Sequence, residues 1–306
     1  MTEPIRIGSR GSQLALWQAN HIAAQLRDAG FAVEIEVIRT TGDRMQQPES
    51  TEVDGLAPLA PLADGKGIFI KEIEEALAAG SIDLAVHSLK DLPTELAPQF
   101  ILGAIPKRAD ARDVLVSVGG KTLADLPEKA RVGTTSPRRQ TQLLALRDDL
   151  QFVAMRGNVD TRLRKLEEGQ ADALVLAAAG LERLGLTQWI THYFDVAEVC
   201  PAPGQGALAI ECRANDAATQ DILKPLDDAP TRYAVTSERA ALHGLGGGCS
   251  VPIGIFCEPS DGGYVLRGAR SLNNALMRKL VEVEAGVSAE DAGTRMAAAM
   301  QEVHFQ

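Results

Sequence analysis

The sequence predicts an α/β protein with two similar lobes and a small C-terminal α+β domain. Two long segments of the 306-residue chain alternate short apolar strands with amphipathic helices, which favours parallel-rich sheets joined by right-handed crossovers. The stretches IGSRGSQLALWQ and VGTTSPRRQTQLLAL, one in each segment, are alike and indicate two lobes that face a shared cleft. The C-terminal part instead contains three successive strand patterns and a closing helix, which are typical of a three-stranded antiparallel sheet with flanking helices.

Shifts in composition divide the chain into three expected domains. Domain 1 is expected over residues 1–106 with 201–224, domain 2 over 107–200, and domain 3 over 225–306. The proline- and glycine-rich stretch PAPGQG, residues 201–206, is interpreted as a linker. The stretch ALAIEC that follows is expected to return to the first lobe as a strand, so that the chain passes between the lobes twice.

Composition and charge exclude several classes of protein. The chain is 45% hydrophobic and 24% charged, as in ordinary soluble globular proteins. Its formal net charge of −10 opposes nonspecific attraction to nucleic acid or anionic lipid, and aromatic residues, at 4%, are too few for base-stacking platforms. We therefore expect no nucleic-acid or membrane partner, and any anion site must come from a local cluster of arginine and lysine.

The N-terminus and the cysteines indicate a cytoplasmic protein. The start MTEPIRIGSRGS lacks the basic and apolar regions of a secretory signal, and no apolar run reaches the ~18–20 residues that span a bilayer. Four cysteines lie far apart without a CxxC pair, which is consistent with free thiols in a reducing compartment. Five histidines form no HxxxH or HExxH pattern, so we expect no metal site.

In the first lobe, a strand at Ile5–Gly8 leads through a turn into a helix. Ser12 is expected to cap this helix and Gly30 to end it. A strand followed by a helix N-terminus is a natural anion site, because unpaired N–H groups and the helix dipole converge there. Arg10 lies beside that turn and strengthens the interpretation.

Two further stretches of this lobe carry candidate functional residues. The long loop Thr41–Gly65 is interpreted as a mobile segment or lid, and Lys66 follows it between two glycines that would let its ammonium group enter a cleft. The apolar strand Ile82–His87 leads to Lys90 and Asp91, at the strand end where open α/β sheets bind ligands. The alternatives are a solvated surface lysine and an ordinary Asp-Leu-Pro turn.

The second lobe repeats the design of the first. A strand at 131–133 is followed by Thr134 and Ser136, and Ser136 with the proline after it is a strong signal for the start of a helix. Arg138 and Arg139, in the first turn of that helix, have the wrong charge for the helix dipole. This conflict indicates an anion held between the dipole and the guanidinium groups.

More arginines follow where later strands end. Arg156 comes after a strand at Leu150–Met155, Arg162 lies in a helix that Asn158 is expected to cap, and Arg183 lies in the next helix. Guanidinium groups suit planar carboxylates and phosphates, so six arginines at loop and helix-start positions indicate a substrate with several such groups. No GxxxxGK[ST] motif is present, which disfavours a nucleotide P-loop.

One cysteine, Cys249, follows three glycines in the stretch HGLGGGCSVPIG. Glycine lets a loop adopt positive φ and lets its backbone approach a bulky group closely, so this thiol is expected to be accessible. The alternative is a glycine turn with an incidental cysteine. The rest of the domain is expected to contain a preceding helix, three strands and a closing helix with a capping box, at Thr231–His243, Ile253–Cys257, Tyr264–Arg270, Lys279–Glu284 and Ser288–Glu302.

Eight stretches of the sequence, in order, resemble the porphobilinogen deaminase (hydroxymethylbilane synthase) family of tetrapyrrole biosynthesis. They are GSRGSQLALWQA, GKGIFIKEIEEAL, DLAVHSLKDLPT, VGTTSPRRQ, MRGNVDTRLRKL, AAAGLERLG, PAPGQGALAIECR and GGGCSVPIG. Together they extend over the chain from end to end. The resemblance implies two lobes like those of a periplasmic binding protein and a third domain that bears Cys249.

The resemblance also implies the chemistry. Cys249 would carry a dipyrromethane cofactor through a thioether, assembled from the enzyme's own substrate. Each porphobilinogen would lose ammonia to give an azafulvene, which the free α-carbon of the terminal pyrrole would attack. Four additions and a hydrolysis would release linear hydroxymethylbilane. Asp91 would be the catalytic carboxylate, which stabilises cationic pyrrole states and assists proton transfer.

Each pyrrole ring brings an acetate and a propionate, and the resemblance assigns their binding to arginines with supporting residues. The arginines are Arg10, Arg138, Arg139, Arg156, Arg162 and Arg183, and the supporting residues are Ser12, Lys66, Ser88, Lys90, Thr134 and Ser136. The resemblance further implies a monomer of heme biosynthesis whose product passes to uroporphyrinogen-III synthase.

The sequence departs from the family pattern at two places. The stretch Gln46–Leu62 is longer and richer in proline than expected, and Leu62 stands where many members have lysine. Pro137 replaces a more usual apolar residue but suits the first position of a helix. The first departure bears on the contacts of the lid, and neither bears on the reaction.

Two alternatives come from other functional classes. One is a non-catalytic, two-lobed dicarboxylate-binding protein, which would need neither Cys249 nor Asp91. The other is a cysteine-dependent acyl transferase, which would require a histidine base near Cys249. In the sequence, His243 is the close candidate for that base, and it is expected to end a helix.

Overall fold

The computed structural model describes residues 3–41, 70–247, 251–272 and 275–302. Three features singled out in the sequence lie outside these residues: the loop that follows Thr41, the glycine-flanked Lys66, and Cys249. The expectations for them stay predictions.

The described chain alternates strands and helices for most of its length. The strands are β1 (Ile5–Ser9), β2 (Val33–Val37), β3 (Leu84–Ser88), β4 (Phe100–Ala104), β5 (Asp113–Ser117), β6 (Arg131–Gly133), β7 (Gln151–Val153), β8 (Ala173–Ala177), β9 (His192–Tyr193), β10 (Leu208–Arg213), β11 (Ile253–Ser260), β12 (Gly263–Leu272) and β13 (Ala275–Glu284). The helices are α1 (Gln13–Asp28), α2 (Lys71–Ala78), α3 (Pro137–Leu146), α4 (Val159–Glu167), α5 (Ala178–Arg183), α6 (Ala217–Leu223), α7 (Ala229–Gly244) and α8 (Ala289–Gln301). Short 3-10 turns lie at Leu89–Asp91, Thr187–Trp189 and Lys224–Leu226.

The chain divides into two compact units, and the first comprises Met1–Lys107 with Leu208–Asp228. Its sheet has the strand order β2-β1-β3-β10-β4. Strand β1 is parallel to β2 and β3, whereas β10 is antiparallel to β3 and β4. Helices cover both faces, because α1 packs in one apolar cluster with Leu84 and Val86, and α2 packs in another with Ala85.

Helix α1 shows how the local sequence determines an element. Its apolar buried residues recur at spacings of three and four, as in an amphipathic helix: Ala19, Ile22, Ala23 and Leu26. Ser12 caps the helix by accepting a hydrogen bond from the Ala15 N–H at 3.3 Å. Gly30 follows the helix at a φ of +92°, a conformation that glycine adopts without strain. The expected start and stop of this helix are confirmed.

The second unit comprises Arg108–Ala207 with Ala229–Gln306 and contains a similar five-stranded sheet. The strand order is β7-β6-β8-β5-β9. Strand β6 is parallel to β7 and β8, whereas β5 is antiparallel to β8 and β9. This is the pairing pattern of the first sheet, which agrees with the likeness of the two sequence stretches. Apolar clusters cover both faces, one around Leu174 and Leu176 and the other around Ala173 and Val175.

The second unit also contains the three-stranded sheet β11-β12-β13, which is antiparallel throughout. Helices α7 and α8 pack against it in one apolar cluster that includes Leu242, Ile255, Leu266, Met296 and Met300. The strands are longer than their apolar runs predicted, because backbone pairing continues past those runs to the turns between them.

These elements confirm the α/β fold class, with two sheets covered by helices and a C-terminal antiparallel sheet. The stretch after the linker returns to the first sheet as β10, as expected. Each large sheet combines two parallel and two antiparallel pairs, because one strand runs against the other four: β10, the last of the first sheet, and β5, the first of the second. Ser288 caps α8 by accepting a hydrogen bond from the Asp291 N–H at 3.1 Å. Within the described ranges, no helix is both long and apolar enough to cross a bilayer.

The close packing of α7 against α8 is testable at Gly293. A Cβ atom there would collide with the backbone carbonyl oxygen of Ser237 and lie 2.6 Å from the Cβ of Ala240. We expect Gly293→Ala to lower the free energy of unfolding by about 1–3 kcal/mol in chemical denaturation, because the two helices must move apart. Alanine's higher helix propensity would act in the opposite direction.

The control for this substitution is Thr294→Ala, at an exposed position of the same helix. Its free energy of unfolding should change by less than about 0.5 kcal/mol. A Gly293→Ala protein as stable as the unsubstituted chain would contradict the close contact.

Candidate active site

The functional residues predicted in the first lobe follow the ends of two neighbouring strands. Strands β1 and β3 are parallel, with Gly8 opposite Ala85. Arg10 and Ser12 after β1, and the Lys90–Asp91 pair after β3, therefore leave the sheet at the same edge. Carboxyl ends of strands are where open α/β sheets bind ligands.

The Lys90–Asp91 pair lies on a turn held by buried leucines. Strand β3 passes directly into the 3-10 turn Leu89–Asp91. Leu89 and Leu92 are each 1% exposed, and the Leu92 N–H donates to the Leu89 carbonyl oxygen at 3.1 Å. Asp91 between them is exposed. The turn is thus anchored in the core while the residue that carries the carboxylate stays accessible.

The two predicted serines of this edge make hydrogen bonds within the unit. Ser88 Oγ accepts a hydrogen bond at 2.8 Å from Nε2 of Gln18, a residue that is only 2% exposed. Ser12 Oγ accepts from the Ala15 N–H as the helix cap. A hydroxyl that accepts can still donate its own proton, so neither bond precludes contact with an anion. Gln18 was not predicted, although a buried glutamine among apolar helix positions is a recognisable signal.

The candidates of the second unit also follow parallel strands. Thr134 and Ser136 follow β6, Arg156 follows β7, and Arg183 lies on the helix that follows β8. Strand β6 is parallel to both β7 and β8, so these segments leave the sheet at one edge. Arg162 joins them in the first turn of α4.

The helix starts at this edge lack side-chain caps. Ser136 and Asn158 occupy the N-cap positions of α3 and α4, as expected, but neither side chain makes a capping hydrogen bond. Thr134 Oγ1 instead accepts from the Ser136 N–H at 3.2 Å. First-turn N–H groups without a side-chain cap, together with the helix dipole, favour an anion.

The anion beside Arg138 and Arg139 is Asp113 of the chain itself. Arg138 Nη1 donates to Asp113 Oδ2 at 2.7 Å, and Arg139 Nε and Nη2 donate to Asp113 Oδ1 at 3.1 and 2.7 Å. Arg138 is 6% exposed, Arg139 7% and Asp113 0%. The conflict between these arginines and the helix dipole is thus resolved within the protein, by the first residue of β5. Their contact with a ligand stays a prediction.

Further buried groups complete the surroundings of Asp113. Gln205 Nε2, from the linker, donates to Asp113 Oδ1 at 2.9 Å, and Arg138 Nη1 also donates to the Cys200 carbonyl oxygen at 2.7 Å. Burial by itself would raise the pKa of Asp113, but the two guanidinium groups outweigh it and hold that pKa well below the usual range. Asp113 is therefore a charged structural carboxylate at ordinary pH.

The remaining arginines differ in their surroundings. Arg156 is exposed and Arg162 is half-buried. Arg183 Nη2 donates to the Gly206 carbonyl oxygen at 2.7 Å, and burial lowers the pKa of its guanidinium to about 10, against an opposing effect of Glu182. A desolvated guanidinium of this kind gains more from a ligand carboxylate than one in open water.

A second buried carboxylate, that of Glu238, was also missed in the sequence. Its side chain is 0% exposed and accepts from Arg108 Nη1 at 2.6 Å, the Gly204 N–H at 2.7 Å and the Cys257 N–H at 2.9 Å. It therefore fastens the linker and β11 to α7. A glutamate on the buried side of a helix is a sequence pattern that could have indicated a buried ion pair. Its partner Arg108 could not be identified in this way, because it lies 130 residues away along the chain.

The Asp113 cluster makes a testable prediction about stability. We expect Asp113→Asn to lower the free energy of unfolding by about 3–5 kcal/mol, because two buried guanidinium groups lose their counter-charge. The pairing of Asp113 with the two arginines stabilises the fold fully at pH values above the pKa of an unfolded aspartate, about 3.9. This stabilisation is lost as pH falls from there through the depressed pKa of Asp113 in the folded protein. Denaturant titration of both proteins near pH 7 measures the difference.

A matched control exists in the same sheet. Asp172 pairs with Arg131 at 3.0 Å, but both side chains are partly exposed, at 33% and 43%. Asp172→Asn should cost less than about 1 kcal/mol, since solvent screens such pairs. Equal losses for the two variants would contradict the special position of Asp113.

Comparison with known proteins places the chain in a family. The model described as "Porphobilinogen deaminase, dipyromethane cofactor binding domain" matches residues 5–221, and the model described as "Porphobilinogen deaminase, C-terminal domain" matches residues 232–302. Among solved structures, an ABC transporter periplasmic substrate-binding protein from Coxiella burnetii aligns with 77% of this chain and 96% of its own at 16% identity, with a TM-score of 0.43. That similarity is too distant to support a conclusion about this chain.

Curated relatives are much closer. The porphobilinogen deaminase of Syntrophobacter fumaroxidans is 49% identical over 86% of this chain and 83% of its own. That of Brevibacillus brevis is 51% identical over 84% of this chain and 80% of its own. With family models and relatives agreeing over most of its length, the chain belongs to the porphobilinogen deaminase family.

Proposed function

We propose that this member of the porphobilinogen deaminase family acts through Asp91 as its catalytic carboxylate and Cys249 as its cofactor anchor. It deaminates porphobilinogen and joins four molecules head to tail, then releases linear hydroxymethylbilane by hydrolysis. The observation that carries the proposal is the exposed Asp91 on a turn anchored by two buried leucines at the carboxyl end of β3. Family membership disfavours both the non-catalytic dicarboxylate-binding protein and the acyl transferase.

The cofactor of the reaction is the dipyrromethane, held by a thioether to Cys249. When bound, it would supply a pyrrole with a free α-carbon for the first addition, and each later porphobilinogen would join the terminal ring of the growing chain as ammonia leaves. The donor set fits such a group, because its rings carry carboxylates and the described chain offers guanidinium groups and helix N-termini without side-chain caps.

Asp91 has two tasks in this mechanism. Positive charge develops on the pyrrole nitrogen as ammonia departs, and a carboxylate fixed beside it lowers the energy of that state. The proton lost when the ring regains aromaticity needs an acceptor, and the same carboxylate can take it. A rigid turn suits both tasks, since the carboxylate need not reorganise during the reaction.

Carboxylates of the substrate and of the growing chain are bound by a larger set of residues. It consists of Arg10, Ser12, Lys66, Ser88, Lys90, Thr134, Ser136, Arg138, Arg139, Arg156, Arg162 and Arg183. Among these residues, Arg183 is expected to bind a carboxylate most strongly, because its guanidinium group is desolvated. Arg138 and Arg139 would share their guanidinium groups between a ligand carboxylate and Asp113.

The described cysteines support Cys249 as the anchor. Cys200, Cys212 and Cys257 are free and buried. Burial raises the pKa of the Cys200 thiol to about 12 and that of Cys212 to about 11, and it also raises that of Cys257. The thiolate is the nucleophile in such reactions, so these three thiols are poorly suited to forming a thioether.

The wider setting follows the same family. We propose three domains, over 1–106 with 201–224, 107–200 and 225–306, a monomeric enzyme in the cytoplasm, and delivery of the product to uroporphyrinogen-III synthase. The free, buried cysteines are consistent with a reducing compartment. The junction of the two family models, between residues 221 and 232, lies near the proposed start of domain 3.

We expect Asp91→Asn to keep its cofactor but to lose nearly all turnover of porphobilinogen, because the amide neither balances positive charge nor accepts a proton. Intact-mass measurement reports the cofactor, and the rate of product formation reports turnover. Glu95→Gln, an exposed carboxylate four residues further on, is the control and should stay active. Retention of most activity in Asp91→Asn would defeat the assigned role.

We expect the purified protein to exceed its chain mass by two deaminated porphobilinogen units, located by peptide mapping on the Cys249 peptide. Cys249→Ser should show the bare chain mass and no colour reaction for pyrroles, whereas Cys212→Ser should keep the added mass. An unchanged pyrrole reaction in Cys249→Ser would contradict the anchor. If the unsubstituted protein shows only the bare chain mass, it should be incubated with porphobilinogen. An unloaded apoprotein would then gain the added mass, whereas a protein without this cofactor would not.

A further inference from the structure

A buried pair of side chains lies directly behind the turn that carries Asp91. His87, on β3, donates through Nε2 to Glu211 Oε2 on β10 at 3.0 Å. His87 is 7% exposed and Glu211 0%. His87 precedes the turn Leu89–Asp91 by a single residue, Ser88, so its position and that of the turn are coupled through a short backbone segment.

The end of β3 has a side chain held on each face of the sheet. Its ladder to β1 stops at Ala85, and its ladder to β10 stops at Ser88. The Ser88 side chain is held on the α1 face by Gln18. The bond from His87 to Glu211 supplies the matching attachment on the opposite face, because successive side chains of a strand alternate between faces.

The sheet is irregular beside Glu211. Ile210 lies opposite Ala104 of β4 and Glu211 lies opposite Leu102, so the register shifts here and the extra residue, Gly103, is on β4. Bulges re-aim a side chain and are common beside active sites. Here the irregularity lies on the strand opposite the residue that binds His87.

Stability does not explain the pair. The second oxygen of Glu211, Oε1, is buried and accepts no hydrogen bond from the part of the chain that the structure describes. Glu74, on α2, lies close enough that the Glu211 carboxylate adds to the effect of burial in raising the pKa of Glu74, with His87 opposing. Two carboxylates beside one imidazole cost desolvation energy, and apolar residues of similar volume would serve the core as well or better.

We propose that His87 and Glu211 are positioning residues, which fix the turn that carries Lys90 and Asp91 in the geometry that the reaction needs. The inference rests on the catalytic role proposed for Asp91. Displacement of a catalytic group by about 1 Å can lower the rate by a factor of about 100. A buried hydrogen bond that prevents such a displacement can therefore support the reaction even if it adds nothing to the stability of the fold.

The test replaces the pair without leaving an unpaired charge. His87→Phe/Glu211→Leu exchanges both partners for apolar groups, a change that is nearly neutral for folding. Glu211→Leu removes only the acceptor, and Glu211→Gln keeps an oxygen that can accept from His87. All are made in the full chain, with cofactor load measured by intact mass and kcat expressed per loaded chain.

We expect the double replacement and Glu211→Leu to lower kcat by about 10-fold or more while KM for porphobilinogen changes by less than about 3-fold, because only Ser88 and Lys90, of the residues proposed to bind carboxylates, lie at this turn. Glu211→Gln should recover most of the lost kcat. The control is Asp83→Asn, which breaks the ion pairs of Asp83 with Arg6 (2.9 Å) and Arg213 (3.5 Å) just before β3, at the other end of the strand. It should lower the thermal midpoint and leave kcat unchanged.

Three results would overturn the proposal. A folded, loaded double replacement with the original kcat would show that the pair does not position the turn. A similar loss of kcat in Asp83→Asn would show that any damage to β3 suffices. Full turnover in Asp91→Asn would remove the proposed catalytic role and the positioning role together, whereas an inactive Asp91→Asn beside a fully active double replacement would refute the positioning alone.

Discussion

The carboxylate of Asp113 joins parts of the second unit that are distant in sequence. It receives the guanidinium groups of Arg138 and Arg139 from the start of α3 and the amide of Gln205 from the linker. All four side chains are buried, so each charge depends on the others for compensation. The start of α3 and the course of the linker therefore depend on one residue at the beginning of β5.

Buried carboxylates recur as organising groups elsewhere in the chain. Glu238 binds Arg108 and two backbone N–H groups, and so fastens the linker and β11 to α7. In the first unit, Glu211 binds His87 behind the turn that carries Asp91. The residues proposed to act on substrate lie on turns and helix starts next to these pairs. The apolar core supplies cohesion, and the buried charges determine where particular turns lie.

Much of the candidate site was accessible from local sequence, for physical reasons that concern a few residues at a time. Ser12, Gly30 and Ser288 act through bonds or backbone angles within their own neighbourhood, so their types and spacing predicted the helix ends. The buried strand β3 was predicted by its apolar run, whereas β4 and β5 were not predicted. The positions of Arg10 and Asp91 at one sheet edge followed from the rule for parallel strands.

The sequence by itself determined the alternation of strands and helices, the caps of α1 and α8, the family, and the residue types available for binding carboxylates. Tertiary structure decided which of those groups are already engaged: Arg138 and Arg139 by Asp113, Ser88 by Gln18, and His87 by Glu211. The physical reason is that a charge or hydrogen bond acts over a few ångströms of space. The partners concerned are 25 to 124 residues apart along the chain, a separation that no local pattern encodes.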